Sequence, residues 1–308
     1  MSLKSLAIAQ QAERLSNTSL NSQKVFIQYV NADLFTVWLK PVGSRWVFYN
    51  IAKYSDIPTN VDVWRIRSAY VSDLNVESPI GSMGANRVNP LLLTNENSQW
   101  EYAIRPQGAP DFMGGFHGDE ILQNVLFLAD GKAISLQGLE CSHFEMVQDT
   151  KIYNPTDGTT ELADLNIRHI WTPEGLNLKM EINWTSGVTL DSAYFSMIPL
   201  LRGDALTSRL RYADTAIEHN IGSSGHAIAG RNTYGVDIYN HTTKLGINAE
   251  LESDWFNGYA NTDRGVWVSD AAQYNKVYMT RVNDSMVTVP AGDVWRGNSK
   301  IKVWQGEN

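Results

Sequence analysis

Leu165-Asn166-Ile167-Arg168-His169-Ile170-Trp171-Thr172, then Pro173-Glu174-Gly175, then Leu176-Asn177-Leu178-Lys179-Met180-Glu181-Ile182-Asn183-Trp184, is the stretch on which the fold turns. Leu165, Ile167, His169 and Trp171 alternate with Asn166, Arg168, Ile170 and Thr172, and the same period runs from Leu176 to Trp184. A period of two belongs to an extended strand with one face buried. Pro, any residue, then Gly fits a type I turn followed by a left-handed glycine in a bulge. The reading is a β-hairpin whose two apolar faces coincide. Its polar face gathers Arg168, Lys179, Glu181 and Asn183. His169 falls on the apolar face, which marks it as a core histidine bonded within the fold.

The β pattern extends in both directions. Residues 24–30, 34–40 and 45–51 are short runs rich in Val, Ile, Phe, Tyr and Trp, separated by turn-forming residues, and read as an antiparallel meander. Residues 61–71 form a fourth strand, on which Arg65 and Arg67, two apart, would share a face. Residues 100–105 restart the strands. Residues 124–129 and 132–136 flank Asp130-Gly131, a hairpin signal. A polar, glycine-rich excursion fills 204–233. Strand patterns return at 235–239, 245–251, 265–269, 276–282, 285–289 and 300–304. Strands do not alternate with helices, so a parallel α/β sheet is excluded. One helical stretch stands out at 5–15, where Ala7, Ile8, Ala9, Ala12 and Leu15 make an apolar stripe. The expectation is an all-β protein: a short N-terminal helix and linker over 1–23, then a large antiparallel β-sandwich over 24–308. The polar stretch 78–97 could mark a border within it.

Composition narrows the partners. The 308 residues are 43% hydrophobic and 19% charged, enough to bury a sizeable core. Ten Trp, 13 Tyr and 9 Phe supply rings that pack cores and also stack on sugars. A net charge of −8 argues against a nucleic-acid partner, which requires a basic face. It leaves an acidic polysaccharide open, because a few Arg and Lys can line one groove. The single Cys141 excludes an intramolecular disulfide and reads as a buried, inert thiol. No apolar run is long enough to span a membrane. The first 20 residues lack the apolar centre of a signal peptide, so the expectation is synthesis in a cytoplasm, with virion association as a route outside. The N-terminal helix could also bundle with copies of itself into a homo-oligomer. No cofactor is implied: phosphate-binding glycine loops, a Gly-x-Ser-x-Gly elbow and zinc-type histidine pairs are all missing.

Chemistry concentrates in Asp111-Phe112-Met113-Gly114-Gly115-Phe116-His117-Gly118-Asp119-Glu120. Glycines permit close approach of backbone to ligand, and a His near a Glu is raw material for proton transfer. Gly-Gly could equally serve a turn, with His117 bonding a neighbouring carbonyl. His143 and Glu145 would share a strand face; with His117 and Glu120 they could hold a metal, form an acid/base site, or be two unrelated surface pairs. The candidate catalytic residues are His117, Glu120, Arg168 and Glu181; no metal ligand is assigned. In a lyase, His117 or a Tyr would take a proton, Glu120 would orient His117, and Arg168 would neutralise a sugar carboxylate. In a hydrolase, Glu120 and Glu181 would flank the glycosidic bond. Candidate substrate-binding residues are Arg65, Arg67, Lys179, Trp255 and Trp267, the last two within a run that also holds Phe256, Tyr259, Tyr274, Tyr278 and Trp295.

Gly265-Val266-Trp267-Val268-Ser269-Asp270, Asn275-Lys276-Val277-Tyr278-Met279, Val289-Pro290-Ala291-Gly292-Asp293-Val294-Trp295 and Lys300-Ile301-Lys302-Val303-Trp304 resemble the closing strands of galactose-mutarotase-like supersandwich domains. That resemblance implies a carbohydrate-processing domain, as in sugar epimerases and polysaccharide lyases, and carries no residue role with it. The short helix, aromatic β body and near-absence of cysteine are also similar to phage tail fibre and tailspike proteins, which implies binding or degradation of surface glycans. The leading expectation is a polysaccharide lyase or glycoside hydrolase. The rivals are a non-catalytic glycan-binding or virion adhesion module, and a structural virion component.

Overall fold

The structure, a computed structural model, describes residues 24–42, 45–74, 76, 78–81, 87–90, 100–114, 117–201, 209–221, 227–231, 233–252, 265–270 and 274–306. The expected N-terminal helix lies outside the described residues. Within them the chain is all-β.

β1 (Val25–Asn31), β2 (Leu34–Val42), β3 (Arg45–Asp56) and β4 (Val61–Ser72) form the expected antiparallel meander, and β5 (Arg87–Pro90) pairs with β4. β6 (Glu101–Pro106) belongs to a second sheet. β7 (Glu120–Ala129) and β8 (Lys132–Ile134) are joined through Asp130 (φ 48) and Gly131 (φ 75), a pair of positive φ angles that suits a tight hairpin. β9 (Leu139–Cys141) returns to pair with β1. β10 (Phe144–Tyr153), β11 (Glu161–Thr172) and β12 (Gly175–Trp184) form a long antiparallel ribbon. β13 (Val188–Leu201) crosses to the second sheet. The remainder is β14 (Arg209–Tyr212), β15 (Glu218–Asn220), β16 (Ala227–Arg231), β17 (Gly235–Tyr239), β18 (Leu245–Leu251), β19 (Val266–Asp270), β20 (Tyr274–Val289) and β21 (Val294–Gln305).

The large sheet has 16 strands in the order β15-β14-β17-β18-β21-β12-β11-β10-β7-β4-β3-β2-β1-β9, with β5 and β8 attached at its side. The small sheet has five, in the order β16-β19-β20-β13-β6. The sheets bury a shared interior. Trp171, Leu176, Ile247 and Ile301 of the large sheet cluster with Ile198, Leu200, Val277 and Met279 of the small one. A second cluster joins Leu178, Met180 and Ile182 to Leu190, Phe195 and Val282.

The hairpin is observed in the expected register: Leu165 faces Ile182, Ile167 faces Met180, and Trp171 faces Leu176. Its turn differs from the expectation. Thr172 pairs directly with Gly175, so the glycine is the first residue of β12 and not a left-handed bulge. Its φ of 150 and a Cβ position only 2.4 Å from the Ile301 carbonyl oxygen still reserve the position for glycine.

Arg65 and Arg67 do not share a face. Asn50 pairs with Ser68 and Ile51 with Ile66, so Arg67 is the extra residue of a β-bulge. The bulge turns Arg67 outward while Arg65 is 1% exposed. A second irregularity lies where β4 meets β7, which run parallel for just two pairs, Val61 with Glu120 and Asp62 with Ile121. Beyond them the Gln148 side chain takes the place of a strand: its Oε1 accepts from the Trp64 amide at 2.8 Å and its Nε2 donates to the Trp64 carbonyl at 3.1 Å.

Candidate functional site

Most of the sequence-identified polar residues are absorbed by the framework. Arg65 bridges two buried carboxylates, with Nη1 2.6 Å from Glu101 Oε2 and Nη2 2.6 Å from Glu120 Oε2. Glu120 also accepts from the Tyr102 hydroxyl and the Thr150 hydroxyl, each at 2.7 Å. Glu101 meets His169 Nε2 at 3.2 Å, and the His169 ring lies nearly parallel to Trp171. Burial pulls the Arg65 pKa down, but the charges of Glu101 and Glu120 outweigh it, so the guanidinium is held in its charged form. Burial, then the Glu120 charge, pushes the Tyr102 phenol well above its ordinary value. Glu120 is therefore enclosed with three donors and does not orient His117. His169 is the core histidine the alternation implied.

Arg168, Glu181 and Lys179 stand on the outer face of the large sheet. Arg168 pairs with Glu145, whose other oxygen is 2.5 Å from His143 Nε2. Glu181 pairs with Arg296 at 2.7 Å, and Lys179 is the cross-strand partner of Arg168. The carboxylates Glu120 and Glu181 are thus on opposite sides of the sheet and cannot flank one bond. His117, Glu120, His143 and Glu145 do not converge; among the described residues no group of three or more His, Cys, Asp or Glu side chains gathers as a metal site. Arg67 lines an open groove of about 510 Å³ with Asn31, Asp33, Lys53 and Tyr54. Cys141 is buried, and its surroundings push the thiol up to about 12. Trp255, with Phe256 and Tyr259, lies outside the described residues.

What remains comes together on the outer face of the small sheet. Trp267 of β19 stacks on Tyr278 of β20, with ring centroids 4.2 Å apart and planes 11° from parallel. Tyr278 leads to Tyr194 of β13 at 4.6 Å, and Tyr194 to Phe112 at 6.0 Å. The Phe112 ring has the Arg105 guanidinium 4.9 Å from its centroid and the His117 ring at 5.3 Å. Arg105 is itself held by Asp191, its Nε donating at 2.8 Å.

The glycine loop holds His117 there. Met113 and Ile104 exchange backbone bonds of 2.7 and 3.1 Å, which ties the start of the loop to β6. The Gly114 amide donates to the Gly118 carbonyl at 2.9 Å, and the His117 amide to the Gly114 carbonyl at 3.2 Å. Asp119 and Glu120 donate to Thr59 and Asn60, which ties its end to the turn before β4. Gly114 (φ 81) passes so close to the Tyr102 ring that a Cβ would lie 2.1 Å from it. Gly118 (φ 92) would place a Cβ 2.0 Å from the Thr59 carbonyl oxygen. Gly118→Ala is accordingly expected to cost at least about 1–3 kcal/mol, the ordinary penalty for a side chain in such backbone. Equilibrium denaturation would show it, and an unchanged midpoint would refute the close approach.

His117 Nδ1 lies 3.1 Å from Asp111 Oδ1. Burial lowers the His117 pKa below 6.5, Asp111 works upward against it, and the Lys276 ammonium adds a smaller push downward. A neutral imidazole with Nδ1–H given to a carboxylate presents Nε2 as a proton acceptor. Sequence reasoning found His117 and Trp267. It gave Asp111, Phe112, Tyr194 and Lys276 no part in a site. The period-two run Tyr274-x-Lys276-x-Tyr278 was the available signal.

No family model matches the chain, and no curated protein does. Likeness is found to solved structures. The galactosidase domain of an α-galactosidase–sucrose kinase is 11% identical over 91% of this chain and 41% of that one, with a TM-score of 0.47. The α-galactosidase from Lactobacillus brevis is 10% identical over 92% and 39%, at 0.43. A galactose mutarotase-like protein from Clostridium acetobutylicum is 9% identical over 92% and 98%, also at 0.43. The chain spans about two fifths of the length of the first two. Galactose mutarotase-like proteins, which the closing strands of the sequence resemble, are thus among the proteins to which this chain is structurally similar.

Proposed function

We propose that this protein processes carbohydrate, cleaving a polysaccharide on the outer face of the small sheet, with His117 as the base. The observation that carries the reading is a cluster of rings, half-buried Trp267, Tyr278 and Phe112 packed against buried Tyr194, that reaches a histidine whose Nδ1 meets Asp111. Flat apolar rings take the C–H faces of sugars, and the exposed parts of half-buried Trp267, Tyr278 and Phe112 are what this cluster offers to one. Hydrolysis by two carboxylates requires them to face each other across the bond, roughly 5–9.5 Å apart. Glu120 and Glu181 are not so placed. Elimination requires one base. His117 Nε2 would take a proton from a sugar carbon, the C–H electron pair would become a C=C bond, and the C–O bond to the neighbouring sugar would break. The departing oxygen would recover the proton from the imidazolium. A lyase is therefore the favoured activity.

The test is a polysaccharide-cleavage screen of wild type and His117→Ala, following new reducing ends and the ultraviolet absorbance of unsaturated products. Absorbance present in wild type and absent in the variant supports the lyase. Reducing ends without absorbance replace it with a hydrolase. Silence with retained glycan binding replaces it with an adhesion module, which the same aromatic face would serve. In all binding cases Trp267→Ala is expected to weaken affinity by about tenfold or more, the usual effect of truncating a central aromatic anchor. Affinity electrophoresis would read this, and unchanged mobility would move the site elsewhere.

A further inference from the structure

We infer that this face selects acidic sugars, with Lys276 reading the carboxylate of a uronic acid unit. The inference rests on the carbohydrate reading above and names its substrate class. Tyr274, Lys276 and Tyr278 alternate along β20 with the buried Asn275, Val277 and Met279, so the three share the outer face. The Lys276 ammonium lies 5.8 Å from the Tyr274 ring centroid and 5.9 Å from that of Tyr278. It is half-buried. Several other lysines of the described residues have carboxylate partners, among them Lys24 with Glu140, Lys53 with Asp62, Lys151 with Glu161 and Lys300 with Glu252. No carboxylate of the described residues pairs with Lys276, and burial alone shifts its pKa, downward.

A cation partly withdrawn from water that meets, among the described residues, ring faces and no carboxylate has an unmet demand for an anion. The position of that anion follows from the register. Trp267 pairs with Tyr278 and Ser269 with Lys276 on adjacent strands, so Trp267 and Lys276 are diagonal neighbours on one face, within the span of one sugar unit. His117 is close enough to feel the Lys276 charge. A carboxylate held by Lys276 would have the charge that develops as its α-carbon proton leaves neutralised by the ammonium, with His117 the histidine of the same ring cluster to take that proton. Lys276 fills the role that sequence reasoning gave to Arg168, which the large sheet carries on its other side.

The experiment measures binding of wild type, Lys276→Met, Lys276→Arg and Trp267→Ala to polygalacturonate, alginate and hyaluronate, each beside its carboxyl-reduced counterpart. Thermal melting of each variant confirms folding. Wild type is expected to bind at least one acidic polymer about tenfold or more tighter than its reduced form, the scale of a charge-assisted bond. Lys276→Met should erase that difference and Lys276→Arg should keep it. Equal binding of acidic and reduced polymers, still dependent on Trp267, would overturn the inference and leave the carbohydrate reading standing. A preference for acid that survives Lys276→Met would also overturn it. Binding to none of the six polymers would overturn the carbohydrate reading and the inference with it.

Discussion

Arg65→Met is expected to lose about 3–5 kcal/mol of stability, the cost of stranding buried charges without their partner. Arg65, Glu101 and Glu120 are each at most 1% exposed, so water cannot replace the lost guanidinium. Methionine fills most of the volume, which makes charge the quantity tested. The control is Arg65→Met combined with Glu101→Gln and Glu120→Gln. Removing all members of a buried ionic group is often nearly neutral, so the triple variant should recover much of the loss. Denaturant titration reads both. A single variant within about 1 kcal/mol of wild type would show that the network contributes little, as is common for exposed pairs.

The second large effect belongs to His117. Replacing it by alanine is expected to lower cleavage by about 10²- to 10⁴-fold, the range for loss of a positioned general base. The pH dependence gives an independent check. A base works unprotonated, so the rate should fall as pH drops through the His117 pKa, which burial holds below 6.5. Asp111 raises that pKa, so Asp111→Asn should move the acid limb to still lower pH. Lys276 lowers it, so Lys276→Met should move the limb upward. Rates that ignore Asp111 and Lys276 would take His117 out of the reaction.

The strands around the hairpin were legible because their alternation is local and strict. β13 was not, although it is central to the small sheet. Its run from Ser192 to Leu200 is buried on both faces and broken by bulges, so it has no period of two to read. The site was half legible for a related reason. The glycine loop singles out His117 and the C-terminal aromatic run Trp267, but nothing in the spacing of Asp111, Tyr194 and Lys276 reveals that a loop, β13 and β20 bring them together. Arg65 and Glu120 misled in the opposite sense. Charged residues look functional in a sequence, and only tertiary pairing shows that they neutralise each other inside. The bulge at Arg67 is likewise invisible until the partner strand is known.

The strand order also governs how quickly this molecule can form. β1 finds its neighbour β9 across 116 residues, as the Cys141–Val25 contact records, and β12 is joined to β21 with Glu181 and Arg296 115 residues apart. Loop-closure entropy must be spent on such pairings before any burial offsets it. Refolding should therefore be slow beside that of helical proteins, on the scale of milliseconds to seconds or longer. Until the distant strands arrive, β1 and β12 offer open hydrogen-bonding edges to other chains. Dilute, cool conditions that give those edges time to find their own partners are the regime in which this chain will best be recovered in soluble form.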